Sequence, residues 1–362
     1  MKLFLLIPYP VKESPSQRFR FEQYFSLLAT TGISYRYQSF WDLQAWRILY
    51  KKGHTVQKAM GFLRGLVRRT WVPFLLLSYD LVFIHRETMP VGPPVFEWFI
   101  AKILRKKIIY DFDDAIWLAN TSDANSIAAR IKWHSKVASI CRWSHKVSCG
   151  NAYLADYARQ FNPHVVINPT TIDTDHLHNP ALYPPQPRKA VTTLGWTGSH
   201  STLKYLDDIV PVLQTLEARH GDSIEFVVIA DKAPTLALKN FRFVPWRKEQ
   251  EAEDLLQIDI GIMPLTDDIW AKGKCGFKAL QYMALKIPAV ISPVGVNTEI
   301  VDHGRNGFLC DTPQAWLSAL EELIQRPDMR QAFGENGREK IIRAYSVRSN
   351  SSTVLGLFKK YN

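Results

Sequence analysis

Short apolar runs and longer stretches with helical spacing alternate along the first half of the chain. Residues 2–8, 79–84 and 107–112 are mostly apolar runs of strand length, which predicts buried strands. Residues 17–31 and 95–104 carry apolar side chains at helical spacing, which predicts helices between the strands. Continuous apolar strands separated by helices are typical of a parallel sheet covered on both faces.

A second series of the same kind follows residues 178–190, a segment with four prolines that is predicted to be a linker. The predicted strands of this series are 192–196, 224–229, 241–244, 260–263 and 289–291, and the predicted helices are 203–219, 249–257, 277–285 and 313–325. The predicted fold class is therefore α/β, with two Rossmann-like doubly wound domains that face each other across a cleft.

The length of the chain agrees with two domains, because 362 residues exceed one ordinary core. We expect an N-terminal domain at residues 1–177 and a C-terminal domain at residues 191–345, with the linker between them. Residues 346–362 are expected to pack back on the N-terminal domain. Hydrophobic residues make up 46% and charged residues 22% of the chain, which excludes a disordered protein.

No stretch is apolar over the roughly 20 residues that a membrane-spanning helix needs. The first apolar run is too short for a signal peptide and is better explained as a strand. We therefore expect a cytoplasmic protein. The four cysteines have no metal-ligand spacing, and ordinary thiols are expected.

Basic charge is concentrated in the first half of the chain. Residues 1–180 hold 23 Lys and Arg against 13 Asp and Glu, whereas residues 181–362 hold 22 against 21. The excess predicts an anionic partner for the first half: a lipid headgroup, a phosphorylated acceptor or a nucleic acid.

Residues 259–309 carry the strongest chemical signal. Three lysines, Lys272, Lys274 and Lys278, surround two glycines where a predicted helix begins, and a second tight turn ends at Gly295. Glycines let backbone N–H groups approach a ligand, a helix N-terminus favours an anion, and lysines supply positive charge. This pattern predicts a diphosphate site, although a solvated lysine loop between core elements would give the same pattern.

The segment from ALQYMALKIPAVIS to VNTEIVDHGRNGFL resembles the donor-binding half of glycosyltransferase family 4. The resemblance implies the GT-B fold and a retaining, metal-independent sugar transfer from a nucleotide-sugar, without a cofactor. It places Gly273 and Gln281 where the family has two glutamates, and Lys274 and Lys278 in a GKxxxK variant. Gln281 is then expected to bind a ribose hydroxyl, and Gly295 and Glu299 belong to the donor site.

Two further segments match the same half of the family. LGWTGSHSTLKYL ends a strand at a turn, so Gly198 and Ser199 are expected below a phosphate. Trp246 follows another predicted strand and is expected beside the nucleotide base, although an aromatic residue after a strand also suits a core position.

In the first half of the chain, three acidic residues lie at the end of a predicted strand. Asp111, Asp113 and Asp114 end the apolar run KIIYDFDDA, with Asp111 and Asp113 expected on one side of the strand and Asp114 on the other. The resemblance places Asp113 on the acceptor side of the reaction, where a carboxylate would orient or deprotonate a hydroxyl. A metal site and a helix N-terminal charge cluster are the alternatives.

Other polar residues are expected at the same edge of the predicted sheet. His85 and Glu87 follow the strand at 79–84 and are expected to face the cleft, with a surface loop as the alternative. Arg18 and Arg20 follow the first strand and are expected to contact an anionic donor or acceptor, with one of them facing solvent.

Residues 46–71 contain seven Lys and Arg, no acidic residue and a tryptophan at each end. Basic residues interleaved with apolar ones are typical of a helix lying on an anionic membrane. The alternative is a basic helix face that covers the sheet.

These features favour a glycosyltransferase that uses a nucleotide-sugar and a glycan or lipid-linked acceptor, in cell-envelope polysaccharide or lipid-linked glycan synthesis. Such an enzyme would be cytoplasmic and peripheral on the inner face of the membrane. A nucleotide-sugar 2-epimerase and a catalytically degenerate nucleotide-sugar-binding protein are the alternatives. No nucleic-acid motif is present, which disfavours a nucleic-acid partner.

Overall fold

The computed structural model describes residues 1–118, 133–184 and 190–359, so residues 185–189 of the predicted linker lie outside the described residues. The chain divides into two compact units, Met1–Thr170 with Asn350–Asn362 and Thr171–Ser349. Each unit contains a six-stranded sheet whose strands pair in parallel. The predicted class, α/β with two doubly wound sheets, is confirmed.

The first sheet has the order β2-β1-β3-β4-β5-β6. Its strands are Lys2–Ile7, Ser34–Ser39, Leu81–His85, Lys107–Phe112, Lys146–Cys149 and Val165–Ile167, numbered β1 to β6 along the chain. The strand order reverses between β1 and β3, and in open α/β sheets ligands bind at the carboxyl ends of strands at such a point.

Helices cover this sheet. Helices α1 to α7 are Pro15–Arg18, Phe25–Thr30, Leu43–Leu49, Thr55–Leu76, Val95–Trp98, Lys136–Trp143 and Ala152–Arg159. The single helix predicted at 17–31 is wrong, because a 3₁₀ turn at Glu22–Tyr24 separates α1 from α2. The predicted helix at 95–104 is a short α-helix followed by a π-helical turn at Phe99–Ile103.

The basic segment 46–71 is not one helix, because residues 50–54 interrupt it between α3 and α4. Its arginines do not share an outward face. Arg69 is fully buried, Arg64 pairs with Asp42 at 2.8 Å, and Arg68 donates to the carbonyl of Phe40 at 2.7 Å. No helix among the described ranges is long and apolar enough to cross a membrane.

The second sheet has the order β12-β11-β10-β7-β8-β9. Strands β7 to β12 are Thr192–Gly198, Ile224–Ala230, Phe241–Pro245, Ile260–Met263, Ala289–Ile291 and Gly307–Leu309. Helices α8 to α13 are Val210–His220, Glu251–Leu255, Phe277–Ala284, Asn297–Ile300, Pro313–Gln325 and Pro327–Lys340. The order reverses between β7 and β10, which marks the expected ligand edge of this unit.

Two local predictions for the second unit need correction. The helix predicted at 203–219 is a 3₁₀ helix at His200–Ile209 followed by α8, and Pro211, which lacks an N–H, lies in the first turn of α8.

Residues 171–177 belong to this unit and not to the first. Ile172 bridges to Ser346, and Arg338 donates to the carbonyl of Thr174 at 3.0 Å.

The last helix, α14 (Val347–Phe358), begins in the second unit and ends in the first. Within the first unit, Lys146 on β5 donates to the carbonyl of Gly356 at 2.7 Å, and the rings of Phe83 and Phe358 lie 6.1 Å apart. The end of α14 therefore packs on the first sheet.

Candidate functional site

Three strand ends of the second unit align at one edge. The pairing register places Gly198 on β7 beside Ala230 on β8, and Ala230 beside Pro245 on β9. Ser199 therefore follows the end of β7, and Trp246 follows the end of β9, where its N–H donates to the carbonyl of Ala230 at 2.8 Å. Trp246 is half-buried, so part of its surface remains exposed.

Lys278 on α10 lies directly against the end of β7. A Cβ atom on Gly198 would lie 2.5 Å from the Trp196 ring and 2.9 Å from Cε of Lys278. The Lys278 ammonium is 5.1 Å from the centroid of the Trp196 ring, within cation–π range. The structure thus brings together Gly198 and Lys278, which sequence analysis assigned to the same ligand from segments 80 residues apart.

Tyr282 holds α10 at this position. Its hydroxyl accepts a hydrogen bond from the N–H of Thr197 at 3.0 Å and donates to the carbonyl of Ile262 at 3.3 Å. The ring fills the space above Gly261, where a Cβ would lie 2.4 Å from it. One buried side chain therefore ties α10 to both β7 and β10, and burial raises the pKa of Tyr282 so that it stays a neutral phenol.

The lysine loop packs on the second glycine turn. Gly295 has φ of +57°, and a Cβ there would lie 2.9 Å from the carbonyl oxygen of Lys272. Gly276, the N-cap of α10, has φ of +64° and packs against Ile300 of α11. The ammonium of Lys274 is 6.0 Å from the centroid of the Trp270 ring. The predicted lysine loop and the Gly295 turn are therefore adjacent.

Two positions that the resemblance aligned with glutamates are buried. Gly273 is buried in the loop, and Gln281 is 3% exposed. The Gln281 amide donates to Glu251 at 2.7 Å, and its nitrogen lies 3.3 Å from Nε2 of His178. Both contacts involve the amide nitrogen of Gln281, and its expected ribose contact stays a prediction.

Glu299 lies on α11 and is exposed. The pKa of Tyr345 is raised to about 12, mainly by burial and in addition by nearby negative charges, one of which is Glu299. The carboxylate of Glu299 is thus accessible from solvent, as a donor contact requires.

His85, Asp111 and Arg20 form a buried cluster in the first unit. The register pairs His85 with Asp111, and Nδ1 of His85 lies 2.8 Å from the Asp111 carboxylate. Arg20 forms an ion pair with the other carboxylate oxygen and donates to the carbonyl of Asn168. The hydroxyl of Ser148 donates to Asp111 at 2.6 Å.

This cluster corrects three predictions. His85 is 0%, Asp111 1% and Arg20 2% exposed, so none of them faces solvent. Burial alone would raise the pKa of Asp111, but the Arg20 guanidinium and the His85 hydrogen bond hold this pKa well below the ordinary range. The three side chains join β3 and β4 to the segment after α1, and the roles expected of them in catalysis and anion binding stay predictions.

Arg86 forms hydrogen bonds with the next two acidic residues, Asp113 and Asp114. Its Nε donates to Asp113 at 2.8 Å, and an NH2 atom donates to Asp114 at 2.7 Å. Strand β4 ends at Phe112, so the predicted placement of Asp113 and Asp114 on opposite sides of a strand is wrong. Arg86 itself has φ of +58°, an uncommon backbone conformation for a residue with a side chain.

The other polar residues predicted at this edge, Glu87 and Arg18, contact neighbouring side chains. Glu87 pairs with Lys136 at 2.7 Å, and the Arg18 guanidinium lies 4.9 Å from the centroid of the Phe19 ring. Within residues 1–118, 133–184 and 190–359, no group of three His, Cys, Asp or Glu side chains is arranged to hold a metal ion. Sequence reasoning missed Tyr282, and it gave Arg86 no role of its own although Arg86 stands between His85 and Glu87, which it did select.

Comparisons with known proteins find a family match within the second unit. Residues 191–326 match the family model described as glycosyl transferases group 1. The D-inositol 3-phosphate glycosyltransferase of Corynebacterium urealyticum is 29% identical over 124 residues, which is 33% of this chain and 28% of that protein. The matched region thus spans less than a third of the length of this curated relative.

Solved structures match over both units. A glycosyltransferase from Rickettsia africae has a TM-score of 0.68 at 13% identity and covers 99% of both chains. Anabaena HepE in complex with UDP and glucose has a TM-score of 0.66 at 13% identity, again over 99% of both chains. Residues 191–326 are therefore similar to the group 1 glycosyltransferases, and the chain has the fold of these solved glycosyltransferase structures.

Proposed function

We propose that this protein transfers a sugar from a nucleotide-sugar, bound by the second unit, to a glycan or lipid-linked acceptor. The observation that carries the proposal is the placement of Lys278 against Gly198 at the strand-order reversal between β7 and β10. At such a point a glycine turn and a lysine at a helix start suit a diphosphate. The Anabaena relative was solved with UDP, which supports the same nucleotide class here.

The first experiment is a nucleotide panel read by thermal shift and calorimetry. One nucleoside diphosphate should raise the melting temperature selectively, because a ligand that binds only the folded state stabilises it by mass action. Nucleoside monophosphates, which lack the second phosphate, are the matched control. Equal shifts with every nucleotide, or no shift at all, would contradict the assignment.

The second experiment tests transfer itself. Purified protein is incubated with the nucleotide-sugar of the selected base and with glycan or lipid-linked acceptors, and products are detected by mass spectrometry. We further propose that the reaction retains the anomeric configuration and needs no metal. NMR of the product tests the first point, and activity in the presence of a chelator tests the second.

A binding protein without transfer activity is the second candidate. It is favoured by one observation, that Gly273 and Gln281 provide no carboxylate at the two positions where the family has glutamates. Selective binding of a nucleotide-sugar without either transfer or hydrolysis would support this candidate. A nucleotide-sugar 2-epimerase would instead change the donor without any acceptor.

The pathway belongs to the same proposal. A role in cell-envelope polysaccharide or lipid-linked glycan synthesis, on the cytoplasmic face of a membrane, is supported by the basic charge of the first half. A strain that lacks the protein should accumulate the unglycosylated acceptor, which lipid and polysaccharide profiling would detect.

A further inference from the structure

Helix α4 presents an apolar stripe to solvent. Six of its residues recur at intervals of three or four positions and are between 51% and 72% exposed. This spacing places them on one face of the helix along its whole length. The stripe consists of Val56, Met60, Leu63, Val67, Trp71 and Phe74.

The opposite face of α4 is packed on the first unit. A Cβ on Gly61 would lie 2.5 Å from Ala45, and one on Gly65 would lie 2.7 Å from the carbonyl oxygen of Phe40. Arg69 is fully buried and donates to the carbonyls of Thr88, Gln38 and Ile7 at 2.8–2.9 Å. Because these contacts fix the rotation of the helix, the apolar stripe cannot turn inward.

The surroundings of the stripe are basic. The sequence contains seven Lys and Arg and no acidic residue between Asp42 and Asp80. Arg47, Lys51 and Lys52 are exposed at the junction of α3 and α4, beside Tyr50, which is 64% exposed. Exposed basic residues, an apolar helix face and exposed aromatic side chains are together suited to the interface of an anionic bilayer.

We propose that the apolar stripe of α4 inserts into the surface of an anionic lipid bilayer, with α4 lying in the plane of the membrane. The apolar residues supply the attachment, and Lys51 and Lys52 supply its preference for anionic lipid. Arg64, Arg68 and Arg69, which sequence analysis included in the basic face, instead hold α4 to the first unit.

A second copy of the chain fits the stripe less well. A twofold contact places the same surface on both sides, and because residues 43–79 contain no acidic residue, the basic side chains of each α3–α4 segment would find no ionic partner on the other copy's stripe. Charge complementarity therefore selects the membrane as the occupant. This inference concerns a partner of the first unit and does not depend on sugar transfer.

The test is co-sedimentation of the full chain with vesicles of phosphatidylglycerol and phosphatidylcholine, or of phosphatidylcholine alone. The wild type should pellet with the anionic vesicles, less at high salt and less with neutral vesicles. The triple variant V67Q/W71Q/F74Q should lose at least tenfold in partition coefficient, and K51Q/K52Q should lose the preference for anionic vesicles.

Matched controls separate these effects from general changes of the surface. L182Q/I342Q removes exposed apolar side chains of the second unit, and K232Q/K239Q removes two exposed lysines there. Both should bind vesicles like the wild type, and circular dichroism should show unchanged melting for all variants, because the replaced side chains are exposed.

Three outcomes would overturn the proposal. The wild type does not sediment with anionic vesicles, or V67Q/W71Q/F74Q sediments as well as the wild type, or the controls lose binding equally. Sedimentation velocity without lipid gives a further check. A wild-type dimer that becomes monomeric in V67Q/W71Q/F74Q would assign the stripe to a second copy of the chain.

Discussion

The side-chain amide of Gln281 donates a 2.7 Å hydrogen bond to the carboxylate of Glu251, and both side chains are buried. The family resemblance aligns Gln281 with a second glutamate. The carboxylate of Glu251 on α9 thus lies beside position 281, and its partner there is the side-chain amide of Gln281. The relationship explains why a glutamine is suitable at position 281, since a second buried carboxylate there would repel the first.

We predict that Gln281→Glu destabilises the second unit, by about 3 kcal/mol at pH 7. Two carboxylates at hydrogen-bond distance cannot both ionise without cost, so the pair has a raised pKa in the folded state. The penalty should therefore grow as pH rises above about 4.3, the ordinary glutamate value, and shrink below it. Urea unfolding at pH 4.5 and 7 measures it, with the exposed Q314E as control. A pH-independent loss would contradict the argument.

Contacts between residues that are far apart in the sequence could not be predicted from local patterns. Buried strands such as β1 and β4 consist of apolar runs that are visible locally, and the alternation of such runs with helical segments predicts two parallel sheets. Arg20 and Asp111 are 91 residues apart, and Gln281 and Glu251 are 30 apart. A local pattern cannot show that a charged residue is neutralised by a distant one, so Arg20, His85 and Asp111 were predicted as accessible residues although they are buried. Gly198 and Lys278 were assigned to one site through the family resemblance.

Asp111→Asn should cost about 3–5 kcal/mol of stability, because it leaves the buried Arg20 without its ionic partner. The folded-state pKa of Asp111 is lowered, so its stabilising effect is present above the ordinary aspartate value near 3.9 and is lost as pH falls further. The difference between wild type and variant should be constant above about pH 5 and diminish below about pH 4. Chemical unfolding across this range tests it. The control is D156N, an exposed aspartate whose loss should change stability by less than about 0.5 kcal/mol.

Asp113→Asn should lower turnover by about a hundredfold or more, while the affinity for the nucleoside diphosphate stays near the wild-type value. The reason is that Asp113 belongs to the first unit, whereas the proposed donor site belongs to the second. Initial rates and calorimetry separate the two effects. Asp114→Asn is the matched control, since Arg86 binds both carboxylates. Equal losses in the two variants would mean that Asp113 acts only through Arg86.

Lys278→Ala should weaken nucleoside-diphosphate binding by about 1.5–3 kcal/mol, the value of one charge-assisted hydrogen bond. That loss corresponds to roughly a tenfold to hundredfold increase in Kd. Lys274→Ala is expected to do the same if the loop contacts the same phosphates. Calorimetry measures both variants against Lys286→Ala, which removes an exposed lysine paired with Glu335. Wild-type affinity in K274A and K278A would exclude these lysines from the donor site.

Gly295 and Gly304 form a matched pair for substitution by alanine. Both glycines have positive φ, +57° and +75°, so each alanine variant has a backbone penalty of about 1 kcal/mol. A Cβ at position 304 meets nothing within 4 Å, whereas at position 295 it would lie 2.9 Å from the carbonyl oxygen of Lys272.

Because that contact is with backbone, the loop that carries Lys272 and Lys274 must shift in Gly295→Ala. We therefore expect Gly295→Ala to lose more stability than Gly304→Ala and, in addition, to bind the nucleoside diphosphate at least tenfold more weakly. Gly304→Ala should keep wild-type affinity. Thermal melts and calorimetry on the two proteins decide the matter. If the two variants bind nucleotide equally well, the Gly295 turn does not position the lysine loop for the donor.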